Sequence, residues 1–205
     1  MSPTSTQVAR RDAILAAAVA VFGAAGFADA GVDEIARRAG VAKPTVYNHF
    51  GDKRGLLLES IRWATARAQQ RVMGALSGLD PSAADLRAEL ERVSRALIEC
   101  LLSDEGTAVM RLQVSEQHHL AELDSLRLGA RQATVEALAG RLAIIAAHGR
   151  LRLPDPVLAA RHLMALTSDE PLAESGFGAR RLQPDEVVGP VRDGVDTFLA
   201  AFGVD

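Results

Sequence analysis

A short segment of the chain concentrates side chains that can donate hydrogen bonds to phosphate oxygens. A hydroxyl, a phenol, an imidazole and an ammonium occur here within a few residues of one another, and all four donors suit phosphate. They belong to Thr45, Tyr47, His49 and Lys53. Lys53 gains further if it opens a helix, because the N-terminal end of a helix favours an anion.

Three neighbouring side chains have the chemistry to contact base edges. An asparagine can pair bidentately with adenine, a lysine can donate to guanine, and a proline can press on a thymine methyl group. These are Asn48, Lys43 and Pro44. A purely structural alternative stays open, in which Tyr47 and His49 only pack the small domain together, as we expect Phe50 to do.

Two short helices must position these side chains. Helical patterns over 32–39 and 43–50 are separated by Ala39-Gly40-Val41, where the chain has to turn sharply. Gly40 suits that turn because glycine adopts a positive φ at little cost. Pro44 fits the first turn of the second helix, where its missing N–H is no loss. This spacing is typical of a helix-turn-helix, which lays its second helix in the DNA major groove.

The charge distribution favours the same interpretation. The whole chain has a net charge of −3, so it is not a general binder of polyanions. Residues 1–55 nevertheless hold seven Arg/Lys against five Asp/Glu, whereas residues 56–205 hold sixteen against twenty-one. Both lysines of the chain, Lys43 and Lys53, lie in or beside the second helix. A cationic tip on an acidic body suits a protein that meets phosphate at one end.

Length and composition limit the class of protein. A chain of 205 residues with 48% hydrophobic residues can bury a real core and is not disordered. The single cysteine, Cys100, excludes an internal disulfide framework and fits a reducing cytoplasm. We find no signal peptide and no uncharged stretch approaching the roughly 20 residues that cross a bilayer. The sequence therefore predicts a cytoplasmic protein with no membrane partner.

The rest of the chain is predicted to be almost wholly α-helical. Beyond the two short helices, apolar spacing predicts helices over about 7–25, 53–76, 83–102, 106–117, 122–147, 156–168 and 184–202. Gly26 should stop the first helix, and Asp52 should cap the helix that begins at Lys53. Gly189-Pro190 lies inside the last segment, so that helix either kinks there or begins later.

From Arg11 to Leu57 the sequence resembles the TetR family of transcriptional regulators. The matching positions are Ile14-Leu15-x-Ala17-Ala18 with Phe22 and Gly26, Val32-Asp33-Glu34-Ile35-Ala36, Ala39-Gly40-Val41-Ala42, Thr45-Val46-Tyr47-Asn48-His49-Phe50, and Lys53-x-x-Leu56. The segments 110–126 and 195–203 resemble the C-terminal domain of the AefR-like branch. Thr45, Tyr47, His49 and Lys53 match the family's phosphate contacts.

The resemblance implies an N-terminal three-helix DNA-binding domain, 1–52, with a helix-turn-helix. It also implies a C-terminal helical bundle, 53–205, for ligand binding and homodimerisation. The chain departs from the family at Gly31, where Thr or Ser usually caps the second helix, and at Pro44, where glycine or serine is commoner. A further departure, Asp169-Glu170-Pro171, leaves the end of a dimer helix undefined.

A ligand site is expected on the inner faces of the body helices. Its candidate residues are Trp63, Cys100, Met110, Val114, His118, Leu163 and Thr167, each of which could equally be ordinary core. Their mainly apolar character indicates a hydrophobic small-molecule effector. The His118-His119 pair chelates a metal poorly, because adjacent helical residues point about 100° apart. We predict no metal, no cofactor and no catalytic residues, since no catalytic arrangement is found.

The function predicted from the sequence is a ligand-responsive repressor that binds a palindromic operator as a dimer. Ligand binding would tilt the long helix after Lys53 and so change the separation of the two recognition helices. One alternative is a small-molecule carrier or enzyme with a vestigial DNA-binding head. Another is an architectural DNA protein without an effector, which the acidic composition disfavours.

Overall fold

A computed structural model describes residues 5–115 and 121–204 of the chain. Within those ranges nine helices are joined by turns and irregular connections, with one isolated antiparallel bridge between Leu151 and Gly203. The helices are α1 (Ser5–Asp29), α2 (Val32–Ala39), α3 (Lys43–Phe50), α4 (Lys53–Ser77), α5 (Leu86–Leu101), α6 (Asp104–Ser115), α7 (Ala121–Ala147), α8 (Pro156–Glu174) and α9 (Pro184–Phe202). The predicted all-α fold is confirmed.

The strongest local signals for helix ends are confirmed. Gly26 interrupts α1 with φ 75° and ψ 172°, and Gly40 ends α2 in the left-handed conformation. Asp52 caps α4, because its side chain accepts a hydrogen bond from Gly55 N at 2.7 Å. Gly31 precedes α2 without a side-chain cap, as its departure from the family pattern implied.

Two predicted boundaries in the body are wrong. Helix α5 begins at Leu86 and not at residue 83, because Asp85 caps it by accepting from Ala88 N at 3.0 Å. Helix α8 does not end at residue 168 but continues to Glu174. It passes through Pro171, and Ser175 N donates to Pro171 O at 3.0 Å beyond it.

The continuation of α8 has a simple physical reason. Asp169 and Glu170 lie on the exposed side of the helix, so their charges are solvated and do not end it. Pro171 is buried, and its ring occupies space in the core. Proline removes one backbone hydrogen bond from a helix interior, and burial of the ring offsets part of that cost. Helix α9 also runs through an internal proline, the half-buried Pro190, and does not begin later.

By packing, the chain divides into two compact units. Unit 1 comprises residues 1–67 and 104–127, and unit 2 comprises residues 68–103 and 128–205. Helix α4 contributes residues to both. The predicted division at residues 52 and 53 concerns the roles of the two parts, and as a statement about roles it remains a prediction.

Unit 1 has one apolar core, drawn from α1, α2, α3, the first part of α4, and α6. Ile14, Phe22, Ile35 and Leu57 are fully buried in it, and Leu112 of α6 belongs to the same cluster. Helices α1 and α6 approach closely at Gly23, where an added Cβ would lie 2.4 Å from the Cβ of Ala108. Helices α2 and α3 therefore rest on a core that includes a segment from the middle of the chain.

Helix α1 is long and apolar enough to cross a membrane by length and composition alone. In the most apolar 18-residue window of its stretch Thr6–Asp29, 33% of the residues are buried inside the structure. Ile14, Leu15 and Phe22 are the residues that face the unit 1 core. Their burial accounts for the apolar composition of this helix, because a core helix passes the same test as a membrane span.

Unit 2 is built around the packing of α8 on α9. Its core contains Leu90, Leu142, Leu163, Val191 and Phe198, all essentially inaccessible to solvent. Gly194 lies where the two helices are closest. A Cβ built there would be 2.4 Å from the carbonyl oxygen of Leu166, so only glycine allows this approach.

We expect Gly194→Ala to lower the free energy of unfolding by about 1–3 kcal/mol, because α9 must move away from the backbone of α8. Chemical denaturation followed by circular dichroism measures the change. Gly140→Ala in α7 is the matched control, since an added Cβ meets nothing within 4 Å there. That control should be neutral or should stabilise by about 0.5–1 kcal/mol. Equal effects of the two substitutions would contradict close packing at Gly194.

Candidate nucleic-acid interface

The turn between α2 and α3 is fixed by backbone hydrogen bonds. Gly40 adopts φ 67° and ψ 33°, and its N–H points back to the carbonyl oxygens of Ala36 and Arg37. Val41 N also donates to Ala36 O, at 3.0 Å. These bonds satisfy carbonyls that the end of α2 would otherwise leave without partners. The turn is therefore determined by local chemistry, as the sequence predicted.

Helix α3 is anchored from beneath by two side chains. Val46 is 1% exposed and Phe50 is 9% exposed, and both belong to the unit 1 core. Thr45 N donates to Ala42 O at 2.9 Å in the first turn, and Pro44 occupies a position there that needs no donor. Because Val46 and Phe50 face inward, the opposite side of the helix faces solvent.

Five of the seven predicted DNA contacts lie on that solvent-facing side. The exposed residues are Lys43, Pro44, Tyr47, Asn48 and His49, while Thr45 is half-buried. Tyr47 is 39% exposed and His49 is also exposed, so neither is a core residue of the domain. The structure thus exposes an ammonium, a phenol, an amide and an imidazole on the part of α3 that does not pack against the core. Such a face can donate to both phosphates and base edges.

Lys53, the seventh predicted contact, lies at the first turn of α4. Its Nζ donates to Ala28 O at 3.0 Å and lies 5.0 Å from the centre of the Phe27 ring. The side chain is half-buried. These contacts hold the ammonium against the end of α1, while Lys53 itself opens α4 at an end where an anion is favoured.

The joint between α3 and α4 depends on a second close approach. A Cβ added at Gly55 would lie 2.3 Å from the carbonyl oxygen of Phe50, so a side chain cannot be accommodated without a shift. Gly51, between the helices, has φ 78°. Gly55 could not be recognised from the sequence, because its role depends on the Phe50 carbonyl oxygen that it approaches and not on its own conformation.

The first turn of α2 carries two carboxylates that pair with cations of the interface. Asp33 Oδ2 lies 2.9 Å from Lys43 Nζ. Glu34 Oε1 lies 2.7 Å from Arg37 and 2.6 Å from Arg38. Hydrogen bonds from Arg37 and then from Arg38 lower the pKa of Glu34 from 4.5 to about 2. The hydrogen bond to Asp33 raises the pKa of Lys43, so this ammonium stays charged at neutral pH.

Two exposed arginines of unit 1 were not among the predicted contacts. Among the described residues, Arg10 of α1 and Arg54 of α4 form no ion pair and no side-chain hydrogen bond. Arg11 differs from them, since it pairs with Glu59 at 2.6 Å and lies over the Phe50 ring. The position of Arg54 directly after Lys53 was the available signal that it could face an anion at the start of α4.

The predicted ligand residues lie in both units. Trp63 and Met110 are half-buried in unit 1, where Trp63 Nε1 donates to Asp12 Oδ1 at 3.0 Å. Cys100 is half-buried in unit 2, with Leu163 and Thr167 buried in its interior. The Thr167 hydroxyl donates to Leu163 O at 2.8 Å and so needs no ligand. The side chains of Val114 and His118 lie outside what the structure describes.

A hollow of about 570 Å³ opens on the surface of unit 2. It is lined by Leu128, Gly129, Arg131, Gln132, Val135 and Arg161. None of the predicted ligand residues that the structure describes lines it, so their role in ligand binding remains a prediction. In residues 5–115 and 121–204, no group of three or more His, Cys, Asp or Glu is arranged to hold a metal ion.

Family models match most of the chain. A model described as "Bacterial regulatory proteins, tetR family" matches residues 14–60, which contain α2, α3 and the start of α4. A model described as "AefR-like transcriptional repressor, C-terminal domain" matches residues 88–204. The first match coincides with the interface described above, and the second covers more than half of the chain.

Individual proteins resemble the chain to different extents. The HTH-type transcriptional activator FasR of Mycolicibacterium smegmatis is 40% identical over 82 residues, which are 40% of this chain and 37% of FasR. A crystal structure of a TetR-family transcriptional regulator from Mesorhizobium loti MAFF303099 covers 98% of this chain and all of that chain, with 26% identity and a TM-score of 0.88. The flavonoid-responsive regulator FrrA covers 95% of this chain and 97% of its own, with 25% identity and a TM-score of 0.66.

The pairing of Glu34 predicts a specific acid titration. The pKa of Glu34 is depressed in the folded protein. The ion pairs of Glu34 with Arg37 and Arg38 therefore stabilise the fold above pH 4.5, and this stabilisation is lost as the pH falls toward 2. We expect NMR titration of the Glu34 carboxyl to give a midpoint near pH 2 in the native protein. Replacing both Arg37 and Arg38 with Gln should return the midpoint toward 4.5.

Arg10→Gln is the control for that titration, because Arg10 has no contact with Glu34 in the described structure. In this variant the midpoint should stay near pH 2. A shift as large as that of the Arg37 and Arg38 double variant would show that general charge, and not the paired geometry, sets the Glu34 pKa.

Proposed function

This chain belongs to the TetR family of bacterial regulatory proteins, and we propose that it is a ligand-responsive repressor that binds a palindromic operator as a homodimer. Its family and fold are those of transcriptional regulators with a helix-turn-helix, which are not enzymes. The observation that carries the proposal is the solvent-facing side of α3, where donors for phosphates and bases lie above a buried anchor.

We assign different tasks to two sets of residues in the interface. Asn48, Lys43 and Pro44 contact base edges in the major groove, because an amide, an ammonium and an apolar ring match adenine, guanine and thymine respectively. Thr45, Tyr47, His49 and Lys53 contact phosphates and fix the register of the helix on the duplex. The exposure of most of this set supports the assignment.

Repression follows from occupation of promoter DNA. The family model that matches the C-terminal part is named after a transcriptional repressor, whereas FasR is named as an activator. The match to FasR covers only 40% of this chain and 37% of FasR, so it carries little weight in deciding between activation and repression. We therefore rest repression on the C-terminal match, which covers residues 88–204. We place the protein in the cytoplasm, where its DNA target is.

A homodimer is supported by apolar side chains on the surface of unit 2. Leu158 and Leu166 of α8 and Val188 of α9 are 46%, 40% and 43% exposed. Large aliphatic residues exposed on neighbouring helices favour a partner surface of the same kind. In our proposal α8 and α9 form a four-helix bundle with the same helices of a second copy. The two recognition helices then contact successive major grooves, about 34–36 Å apart.

The effector is proposed to be an apolar small molecule bound in the C-terminal body. FrrA, which matches this chain over nearly its whole length, is named a flavonoid-responsive regulator. Helix α4 begins at the interface with Lys53 and continues to Ser77. A ligand that prefers a different tilt of α4 would lower operator affinity by its differential binding, about 5–150-fold for a coupling of 1–3 kcal/mol.

Selection of duplexes from a random-sequence library tests the DNA-binding part of the proposal. We expect an inverted repeat with half-sites one helical turn apart. Asn48→Ala should weaken operator binding by about 5–150-fold and leave binding to random DNA unchanged, because a base contact is lost. Lys53→Ala should weaken both and reduce the slope of log K against log salt by about one per subunit.

Glu99→Ala, an exposed change on α5 of unit 2, is the control and should alter neither affinity nor slope. If no sequence is enriched, the protein is a ligand-binding relative with an inactive DNA-binding head. If Asn48→Ala weakens random and operator DNA equally, the division of tasks on α3 is wrong.

The dimer is tested by placing a charge on its proposed surface. Leu166→Glu and Val188→Glu should each shift the protein toward monomer in sedimentation velocity, because a carboxylate would be buried without a partner. Operator affinity should fall in parallel, since one recognition helix is then lost from the complex. Ile144→Glu in α7 is the matched control, because Ile144 is also 43% exposed and lies on neither α8 nor α9. Equal dissociation by all three substitutions would contradict the proposed surface.

A further inference from the structure

Two carboxylates in the first turn of α2 form ion pairs with three of the seven Arg and Lys side chains in residues 1–55. Asp33 pairs with Lys43 at 2.9 Å, and Glu34 pairs with Arg37 and Arg38. Two of these pairs lie within α2 itself, at spacings of three and four residues that commonly form ion pairs on a helix. The pair between Asp33 and Lys43 is different, because it joins α2 to α3 across the turn.

This ion pair engages the ammonium of Lys43, the only lysine of α3. The Lys43 side chain is 45% exposed and that of Asp33 is 77% exposed, so both remain accessible to solvent and to DNA. Exposed ion pairs are weak and are screened by salt. A phosphate or a base acceptor can therefore take Lys43 from Asp33, but it must compete with a carboxylate already within hydrogen-bonding distance.

We propose that Asp33 is a specificity-determining residue, which withholds Lys43 from phosphates of random DNA and releases it where the operator offers a well-placed acceptor. This inference rests on the proposed function, in which Lys43 contacts a base edge. Asp33 touches no DNA in this account and acts through Lys43, so it is a positioning residue.

The physical reason is that phosphate contacts carry no sequence information. Each cation released to a phosphate raises affinity for every duplex and increases the salt dependence by about 0.9 per contact. A carboxylate that competes for the cation lowers this general affinity. At an operator, a guanine presents two acceptors in the major groove. Hydrogen bonds from Lys43 to these acceptors offset the free energy that is lost when Lys43 leaves Asp33. The difference between operator and random DNA therefore grows.

Asp33→Asn, made alone and together with Lys43→Ala, tests the proposal on a random 24-base-pair duplex and on the enriched operator. We expect Asp33→Asn to tighten binding to the random duplex by about 2–5-fold and to steepen its salt slope by about 0.9 per subunit. Operator affinity should rise less, so the ratio of operator to random binding falls. In the Lys43→Ala background both changes should disappear.

Asp29→Asn is the matched control, because Asp29 is an exposed carboxylate of unit 1 without an ion pair in the described structure. It removes the same charge and should change both duplex affinities by less than 2-fold. The proposal is overturned if Asp33→Asn tightens random binding equally in the Lys43→Ala background, or if Asp29→Asn has the same effect. General repulsion of the duplex would then explain the result.

A measurement without DNA separates this inference from the proposed function. Because the chain has two lysines, a ¹H–¹⁵N spectrum of side-chain ammonium groups contains two lysine signals. Asp33→Asn should shift the Lys43 signal and leave the Lys53 signal in place. An unmoved Lys43 signal would overturn the pairing even if an operator is enriched. Failure to enrich any operator would instead contradict the proposed function and leave the pairing intact.

Discussion

The exposed side of α3 depends on the burial of Val46 and Phe50 in the core of unit 1. An eight-residue helix is too short to be stable in water by its own hydrogen bonds, so tertiary packing must hold it. Each of these two side chains contributes roughly 1.5–3 kcal/mol when it is fully buried. The same burial sets the rotation of the helix, which determines that Tyr47, Asn48 and His49 face outward. Loss of the anchor would therefore disorder the whole set of proposed DNA contacts at once.

Unit 1, which contains the helix-turn-helix, has few cations without a partner among its described residues. Most of its cations are already paired with carboxylates or a carbonyl, as Arg11, Arg37, Lys43 and Lys53 are. With a net charge of −3 on the whole chain, long-range attraction to DNA is small. Affinity must then come from short-range contacts made after docking, and such contacts depend strongly on geometry. A surface of this kind favours discrimination between sequences over general adhesion to DNA.

Local chemistry explains which parts of the fold were predictable from the sequence. The turn at Gly40, the cap at Asp52 and the interruption at Gly26 each depend on a single residue and its immediate neighbours. Features that depend on distant partners were not predicted. The requirement for glycine at 194 comes from the backbone of α8, and the partner of Lys53 is the Ala28 carbonyl, 25 residues away. The ligand residues were the weakest part, because an apolar helix face looks the same whether it packs against the core or lines a cavity.

The inclusion of α6 in unit 1 limits how the DNA-binding part can be exchanged between proteins. Leu112 is buried with the core of α1 to α4, Ala108 fills the space beside Gly23, and Arg111 donates to the Gly23 carbonyl at 3.2 Å. Cutting the chain after residue 67 would expose this apolar surface to water. A chimaera that grafts a new operator preference onto this body would need α6 to be matched to the incoming α1. Recombination among such regulators should therefore favour breakpoints that keep α1 and α6 from the same parent.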